Sequence, residues 1–170
     1  YAIRYAVMCD IRHVEHWFRM NKASTREEWL DAVRMQAIAS LNIGYADAKG
    51  NIAYLYNARI PVRTEGYDYR MYLPGDTSET LWTTYLPFDA LPAVVNPESG
   101  YFQNCNSTPF QTTTGATNPS ADAYSETAGI ETHMTNRALR AIELYGGDES
   151  ITWAEFVDYK YDMNYSNDSV

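Results

Sequence analysis

Ser40-Leu41-Asn42-Ile43-Gly44-Tyr45-Ala46-Asp47-Ala48-Lys49-Gly50-Asn51-Ile52-Ala53-Tyr54-Leu55-Tyr56 is the stretch that decides the fold class of this chain. Leu41, Ile43 and Tyr45 alternate with small or polar residues, the period of two that a strand with one buried face requires. Asp47-Ala48-Lys49-Gly50 supplies a turn, and Ile52, Tyr54 and Tyr56 then resume the alternation. The reading is a β-hairpin.

Helices flank this hairpin on both sides. Upstream, residues 1–8 alternate imperfectly and predict a strand. Residues 10–21 place Ile11, Val14, Trp17 and Phe18 at spacings of three and four, a short amphipathic helix. Thr25-Arg26-Glu27-Glu28 is a capping box, and Leu30, Val33 and Ala37 mark the buried face behind it, with Trp29 beside them. Downstream, residues 59–101 show no helical period, and Pro61, Pro74-Gly75, Pro87, Pro92 and Pro97 break them into short extended pieces. Residues 111–129 read as a polar loop. Residues 135–145 form a helix with Ala138, Leu139 and Ile142 inward, stopped by Gly146-Gly147. Thr152-Trp153-Ala154-Glu155 is a second capping box, opening a helix with Phe156 and Tyr159 on one face. Residues 164–170 read as a frayed tail, and no internal repeat is found. The fold class is α+β, with long extended segments and about four helices segregated from the hairpin.

At 170 residues the chain is long enough for one domain with a sizeable core. Hydrophobic residues at 45% and charged residues at 21% are those of an ordinary globular protein. A formal charge of −9 with no basic stripe opposes binding to nucleic acid or to an anionic membrane surface. A neutral or hydrophobic substrate fits better. No apolar run approaches the roughly 20 residues needed to span a bilayer. The chain begins at Tyr1 without a readable targeting leader, the start expected of a trimmed or processed product. Cys9 and Cys105 are too few for a disulfide framework; one bridge is possible, and two free, buried thiols are the plainer reading.

Several constellations invite chemistry. Cys9, Asp10, His13 and His16 could be metal ligands, but no HExxH pattern exists, and a solvated helix face carrying its histidines is the simpler reading. Residues 147–155 imitate the end of a calcium loop. Its first and third positions would be Leu144 and Gly146, which offer no side-chain oxygen, so the segment reads as a helix cap. GxSxG, P-loop and GxGxxG patterns are missing, and no local signature supports a Ser-His-Asp triad. The segment Asn104-Cys105-Asn106-Ser107-Thr108-Pro109-Phe110 stands apart. An asparagine NH2 is a neutral donor that can be aimed at a developing oxyanion. On composition alone the same residues favour an Asx-type turn. Asn106-Ser107-Thr108 also matches a glycosylation acceptor, a pattern short enough to arise by chance.

The order of the motifs carries more than any one of them. Asp47 to Tyr54 leads to Ile60-Pro61-Val62-Arg63; Trp82 precedes Leu86-Pro87-Phe88 and Leu91-Pro92; Asn96-Pro97-Glu98-Ser99-Gly100-Tyr101 runs into Asn104-Cys105-Asn106-Ser107-Thr108-Pro109. This series resembles the penicillin acylase family of N-terminal-nucleophile hydrolases, including its acyl-homoserine-lactone and cyclic-lipopeptide acylase branches, over most of residues 1–145. The resemblance implies a fragment of an αββα hydrolase, cut from the subunit that bears the nucleophile. In such enzymes an autocatalytically exposed serine attacks the substrate amide with its own α-amine as base, and an acyl-enzyme is then hydrolysed. The resemblance places an oxyanion-hole asparagine at Asn106 and a supporting arginine at Arg137.

The same resemblance sets the remaining expectations. Tyr1 is no nucleophile, so the serine and most of the acyl pocket lie outside these residues, and the isolated chain is expected to be inactive. Its partners would be the rest of the acylase, namely the upstream nucleophile segment and the small subunit, together with a small acyl-amide substrate. The location would be periplasmic or secreted. No cofactor is expected, although structural calcium in the intact enzyme is possible near the stretch matching residues 68–70. Strand edges and apolar faces cut from a larger body would let the fragment self-associate. The rival reading is a non-catalytic binding module built on fifteen tyrosines and four tryptophans.

Overall fold

The computed structural model of the chain describes residues 1–169. The chain divides into two compact units. The first comprises residues 1–43, 56–91 and 124–129; the second comprises residues 44–55, 92–123 and the chain from residue 130 onward.

In the first unit, helices α1 (His13–Lys22) and α2 (Arg26–Val33) pack on each other. Thr25 caps α2: its hydroxyl accepts from the Glu28 amide at 3.2 Å, while the Glu28 carboxylate takes the Ser24 amide at 2.7 Å. The threonine half of the capping box is thus formed, whereas the glutamate reaches the amide one residue before the N-cap instead of the N-cap's own. Ala32, Val33, Ala37, Ala58 and Ile60 form the apolar core of this unit. Residues 59–91 are irregular, with several turns and a short 3-10 turn at Phe88–Ala90, and fold back through an isolated antiparallel bridge between Pro61 and Tyr85.

Two expectations for the first unit are corrected. Residues 1–5 carry no regular structure and residues 6–9 form a turn, so no strand forms there; Val7 and Cys9 adopt φ of 61° and 69°. A left-handed, β-branched residue cannot continue a strand. The amphipathic reading of α1 also inverts. Ile11, Val14, Trp17 and Phe18 are exposed, Ile11 at 87% and Phe18 at 62%, whereas His16 is completely buried. The helix forms where the period places it, but it turns its polar His16 side inward. Among the described residues the apolar stripe has no cover.

The sheet order is β1 (Ser40–Ala46), β2 (Ile52–Ala58), β3 (Ala93–Val95), with residues 40–43 and 56–58 counted in the first unit and the rest in the second, and the hairpin is formed as predicted. Its turn is organised by Asp47, whose carboxylate accepts from the Asn51 side-chain amide at 2.8 Å, the amides of Asn51 and Lys49, and the Tyr45 hydroxyl. The Asn51 side chain above all holds the Asp47 pKa at about 2. Strand β3 was not foreseen. It pairs antiparallel with β2 in the register Ala53↔Val95, Tyr54↔Val94 and Leu55↔Ala93. Three residues between two prolines are too few to show a period, and only the β-branched Val94-Val95 hints at a strand. Asn96, with φ of 45°, ends the strand while its side-chain oxygen takes the Ile52 amide at 2.9 Å.

Helices α3 (Asn136–Gly146) and α4 (Trp153–Lys160) complete the second unit. Ala138 is fully buried, Leu139 and Ile142 are half-buried, and Gly147 ends α3. The Thr152–Glu155 capping box is present in both directions. The tail is not frayed through residue 168. Ser166 is buried, its amide donating to Asn136 Oδ1 at 2.8 Å and its hydroxyl to the Glu143 carboxylate. Arg140 bridges Glu143 and Asp162, which fastens the segment after α4 to α3. Val170 lies outside the described residues. None of the described helices is long and apolar enough to cross a membrane.

Candidate functional site

The segment of residues 104–108 is a loop held by α3. Asn104 Oδ1 accepts from the Asn106 amide at 3.1 Å, the Asx turn that composition suggested. Asn106 sits in the left-handed region at φ of 57°, a conformation asparagine tolerates better than most residues. The Thr108 amide then donates to the His133 carbonyl at 3.0 Å.

The first turn of α3 grips the same loop from its other side. Thr135, the N-cap, accepts from the Ala138 amide at 3.2 Å and donates its hydroxyl to the Cys105 carbonyl at 3.3 Å. Arg137 Nη2 donates both to that carbonyl, at 3.0 Å, and to Asn106 Oδ1, at 3.1 Å. A guanidinium has donors only, so the atom of the Asn106 amide facing it must be the oxygen. The Asn106 NH2 therefore faces away from Arg137, and Asn106 is exposed. What results is a neutral double donor on a braced side chain, able to stabilise an anion opposite it. The structure thus brings together Asn106 and Arg137, the two residues nominated from sequence, in direct contact.

Cys105 lies between the two asparagines, half-buried, and burial pushes its thiol pKa up. Nucleophilic thiols need a depressed pKa, so the geometry favours an inert side chain whose carbonyl serves as the anchor. Cys105 and Arg137 also line an open groove of about 1050 Å³, together with Tyr101, Tyr145, Trp153 and Phe156. Tyr145 of α3 meets Tyr101, Phe156 and Tyr159 at ring separations of 5.6–6.5 Å, so much of the groove lining is aromatic.

The other nominated clusters do not assemble. Cys9 and Cys105 are both free, and Cys9 is exposed, which corrects the expectation of burial. Asp10 is held by Arg12 at 2.7 Å and Arg59 at 2.8 Å, chiefly by Arg12, well below the usual carboxylate range. His16 is buried away from it, with no partner on either ring nitrogen. In the stretch matching residues 68–70, both Asp68 oxygens are taken by the Arg70 guanidinium at 2.8 and 3.0 Å. Among the described residues, no group of three His, Cys, Asp or Glu is placed to hold a metal ion. The residues present do not by themselves fit calcium. In residues 147–155, Asp148 accepts from the Ser150 amide and the Tyr159 hydroxyl, so these residues cap and brace α4.

Sequence reasoning read His16 as part of a solvated face and singled out neither Asn57 nor Arg63 as a buried polar side chain. His16 and Asn57 are fully buried with unpartnered polar atoms, and Arg63 has a buried, unpartnered Nε. Arg63 donates to the Thr127 carbonyl at 2.7 Å and lies 5.0 Å from the Tyr69 ring centroid. No periodic signal marks such positions, because an isolated polar residue inside an element reads as its solvent face.

Comparison with known proteins follows the geometry closely. Penicillin G acylase of Escherichia coli is 40% identical over 93 residues, which are 55% of this chain and 11% of that protein. Penicillin acylase 2 proenzyme of Pseudomonas sp. (strain SE83) is 32% identical over 88 residues, 52% of this chain and 11% of the relative. Among solved structures, the thermostable penicillin G acylase of Alcaligenes faecalis superposes with a TM-score of 0.69 at 27% identity, covering 88% of this chain and 25% of that one. The chain accordingly spans only about a tenth of the curated relatives' length (11% in each case). The family model for penicillin amidase matches residues 1–168, nearly end to end, and the chain belongs to the penicillin amidase family.

Proposed function

We propose that the complete protein is an amidohydrolase that cleaves an N-acyl amide bond, and that this chain supplies the Asn106 NH2 to the oxyanion formed on the way to the acyl-enzyme. The observation that carries the reading is the Arg137 bond to Asn106 Oδ1, which leaves the NH2 as the outward-facing group. A neutral donor fixed before reaction costs no reorganisation when the carbonyl oxygen gains charge, which is what lowers a barrier. Arg137 would act through Asn106, holding its amide in the donating orientation.

The nucleophile is an N-terminal serine contributed from outside these residues, with its α-amine as base through water. Attack forms the C–O bond of a tetrahedral oxyanion; collapse expels the amine with the proton taken from the serine. Water then attacks the acyl-enzyme carbonyl, losing a proton to the α-amine; the ester C–O bond to the serine breaks, and the serine oxygen regains that proton as the acid leaves. The partners are the remainder of the acylase, whose residues would cover the exposed Ile11, Val14, Trp17 and Phe18, and a small acyl-amide substrate. Penicillin, acyl-homoserine-lactone and lipopeptide amides all satisfy this chemistry. On the family resemblance, the location is periplasmic or secreted.

Asn106→Ala in the complete enzyme is expected to lower kcat by roughly 10²–10³ with little change in KM, as loss of an oxyanion donor does. Steady-state hydrolysis of penicillin G checks this, and a kcat near that of the parent would remove Asn106 from the mechanism.

A further inference from the structure

We propose that residues 101–104 are an open strand edge, and that an extended segment from the remainder of the acylase pairs with it, sending alternate side chains into the adjoining groove. The inference rests on the reading that the complete protein is a larger amidohydrolase, and it is independent of the role given to Asn106.

Residues 101–104 belong to no sheet of their own, yet they alternate as a strand does. The Tyr101 ring lies 5.7 Å from that of Tyr145 in α3, whereas the Phe102 ring lies 6.2 Å from that of Tyr54 in β2. The main chain alternates as well. The Gln103 amide donates to the Thr112 carbonyl at 2.7 Å, and the Tyr101 carbonyl accepts from the Thr113 hydroxyl at 2.8 Å. Both residues thus turn backbone groups toward residues 112–113, and the period of two turns those of Phe102 and Asn104 the other way. Among the described residues, neither Phe102 nor Asn104 makes a main-chain hydrogen bond. Phe102 is half-buried and Asn104 exposed. Two N–H and two C=O groups in a row without protein partners form a template for another strand.

The groove supplies what the side chains of such a strand require. An added strand takes its affinity from main-chain bonds and its specificity from pockets for alternate side chains. These same residues line the groove, together with Tyr145, Trp153 and Phe156, and Trp153 is 78% exposed. Gln103, which also lines it, is only 5% exposed. Its Nε2 donates to the Gln111 carbonyl at 3.0 Å, which leaves Oε1 buried without a donor. An unmade bond at a buried acceptor is costly, so the site calls for a donor. The matching occupant carries apolar side chains at alternate positions, one donor for Gln103, and no proline where its N–H groups pair. A small acyl amide would fill part of the groove and leave the row of backbone groups unpaired. The rest of the protein is the better source, since this chain spans 11% of the length of its curated relatives.

The test is hydrogen exchange at single-residue resolution on the complete enzyme without substrate. The Phe102 and Asn104 amides are expected to exchange at least about a hundredfold more slowly than unprotected amides. The Tyr101 amide, which has no main-chain partner among the described residues, should stay fast. Trp153 should resist hydroxyl-radical oxidation in the same sample. Free exchange at Phe102 and Asn104 would overturn the pairing. Uniform slowing of Tyr101, Phe102 and Asn104 would overturn it too, as the mark of burial alone. Protection of Trp153 that appears only when phenylacetate is added would replace the polypeptide with a small molecule. Each of these results leaves the oxyanion role of Asn106 standing, and an unchanged kcat in Asn106→Ala would leave the edge standing.

Discussion

Helices α1 and α3 are alike in length and in the strength of their apolar periodicity, yet they treat that periodicity in opposite ways. α3 buries the face its sequence marks, with Ala138 at 0% exposure, and from its first turn Arg137 reaches the 104–108 loop. α1 exposes the face its sequence marks and buries His16. The difference teaches that a 3.6-residue period identifies a face that requires cover, while saying nothing about which part of the protein provides it. α3 finds its cover among the residues around it. α1 carries a stripe whose partner, on the function proposed above, belongs to the remainder of the acylase.

That contrast can be broken most easily at Ala138. Ala138→Leu inserts a branched side chain at a fully buried position and should destabilise the 170-residue chain by about 1–3 kcal/mol, read from urea unfolding. An unchanged midpoint would mean that α3 is packed no better than α1.

His16 sharpens the comparison through pH. Burial lowers its pKa below the usual histidine value, so protonation opposes the folded state. Above pH about 6.5 both folded and unfolded forms are neutral, and His16 contributes no pH dependence. As pH falls below that value the unfolded chain binds the proton first, so stability should decline by up to about 1.4 kcal/mol per pH unit. Carboxylates with depressed values, such as Asp47 and Asp10, contribute losses only at lower pH, which leaves pH 5–6.5 to histidine as an approximate window. His16→Leu should flatten the slope in that window. A slope retained in full would show that His16 is not the buried neutral group the structure describes.

The smallest effect is expected on the outward face of α1. Phe18→Ser should change the stability of the 170-residue chain by no more than about 0.5 kcal/mol, as surface substitutions do. In the complete enzyme the same change should cost about 1.5–3 kcal/mol if the stripe is covered there. Equal effects in the two contexts would remove the assignment of that face to the rest of the acylase.

Much of this was legible because the signals are local. The hairpin at residues 40–56, the caps at Thr25 and Thr152 and the Gly147 stop each depend on residues within a few positions of one another. Strand β3 was not legible, since its three residues exist as a strand only through pairing with Ala53, Tyr54 and Leu55. The tail was misread for a related reason: Ser166 is ordered by Asn136 and Glu143, some thirty and twenty-three positions away. The candidate site was half legible. Asn106 and Arg137 were nominated through the order of motifs, but the direction of the amide cannot be read from that order.

By itself the sequence determined the hairpin, the four helices and the family: alternation made the hairpin, threonine caps began helices, and the series of short motifs from Asp47 to Pro109 pointed to penicillin amidases. Only the tertiary structure decided which helix faces turn inward and which way the Asn106 amide points. The physical reason is range. Backbone hydrogen bonding and side-chain period act between neighbours along the chain, whereas the aim of an amide depends on a guanidinium 31 residues away.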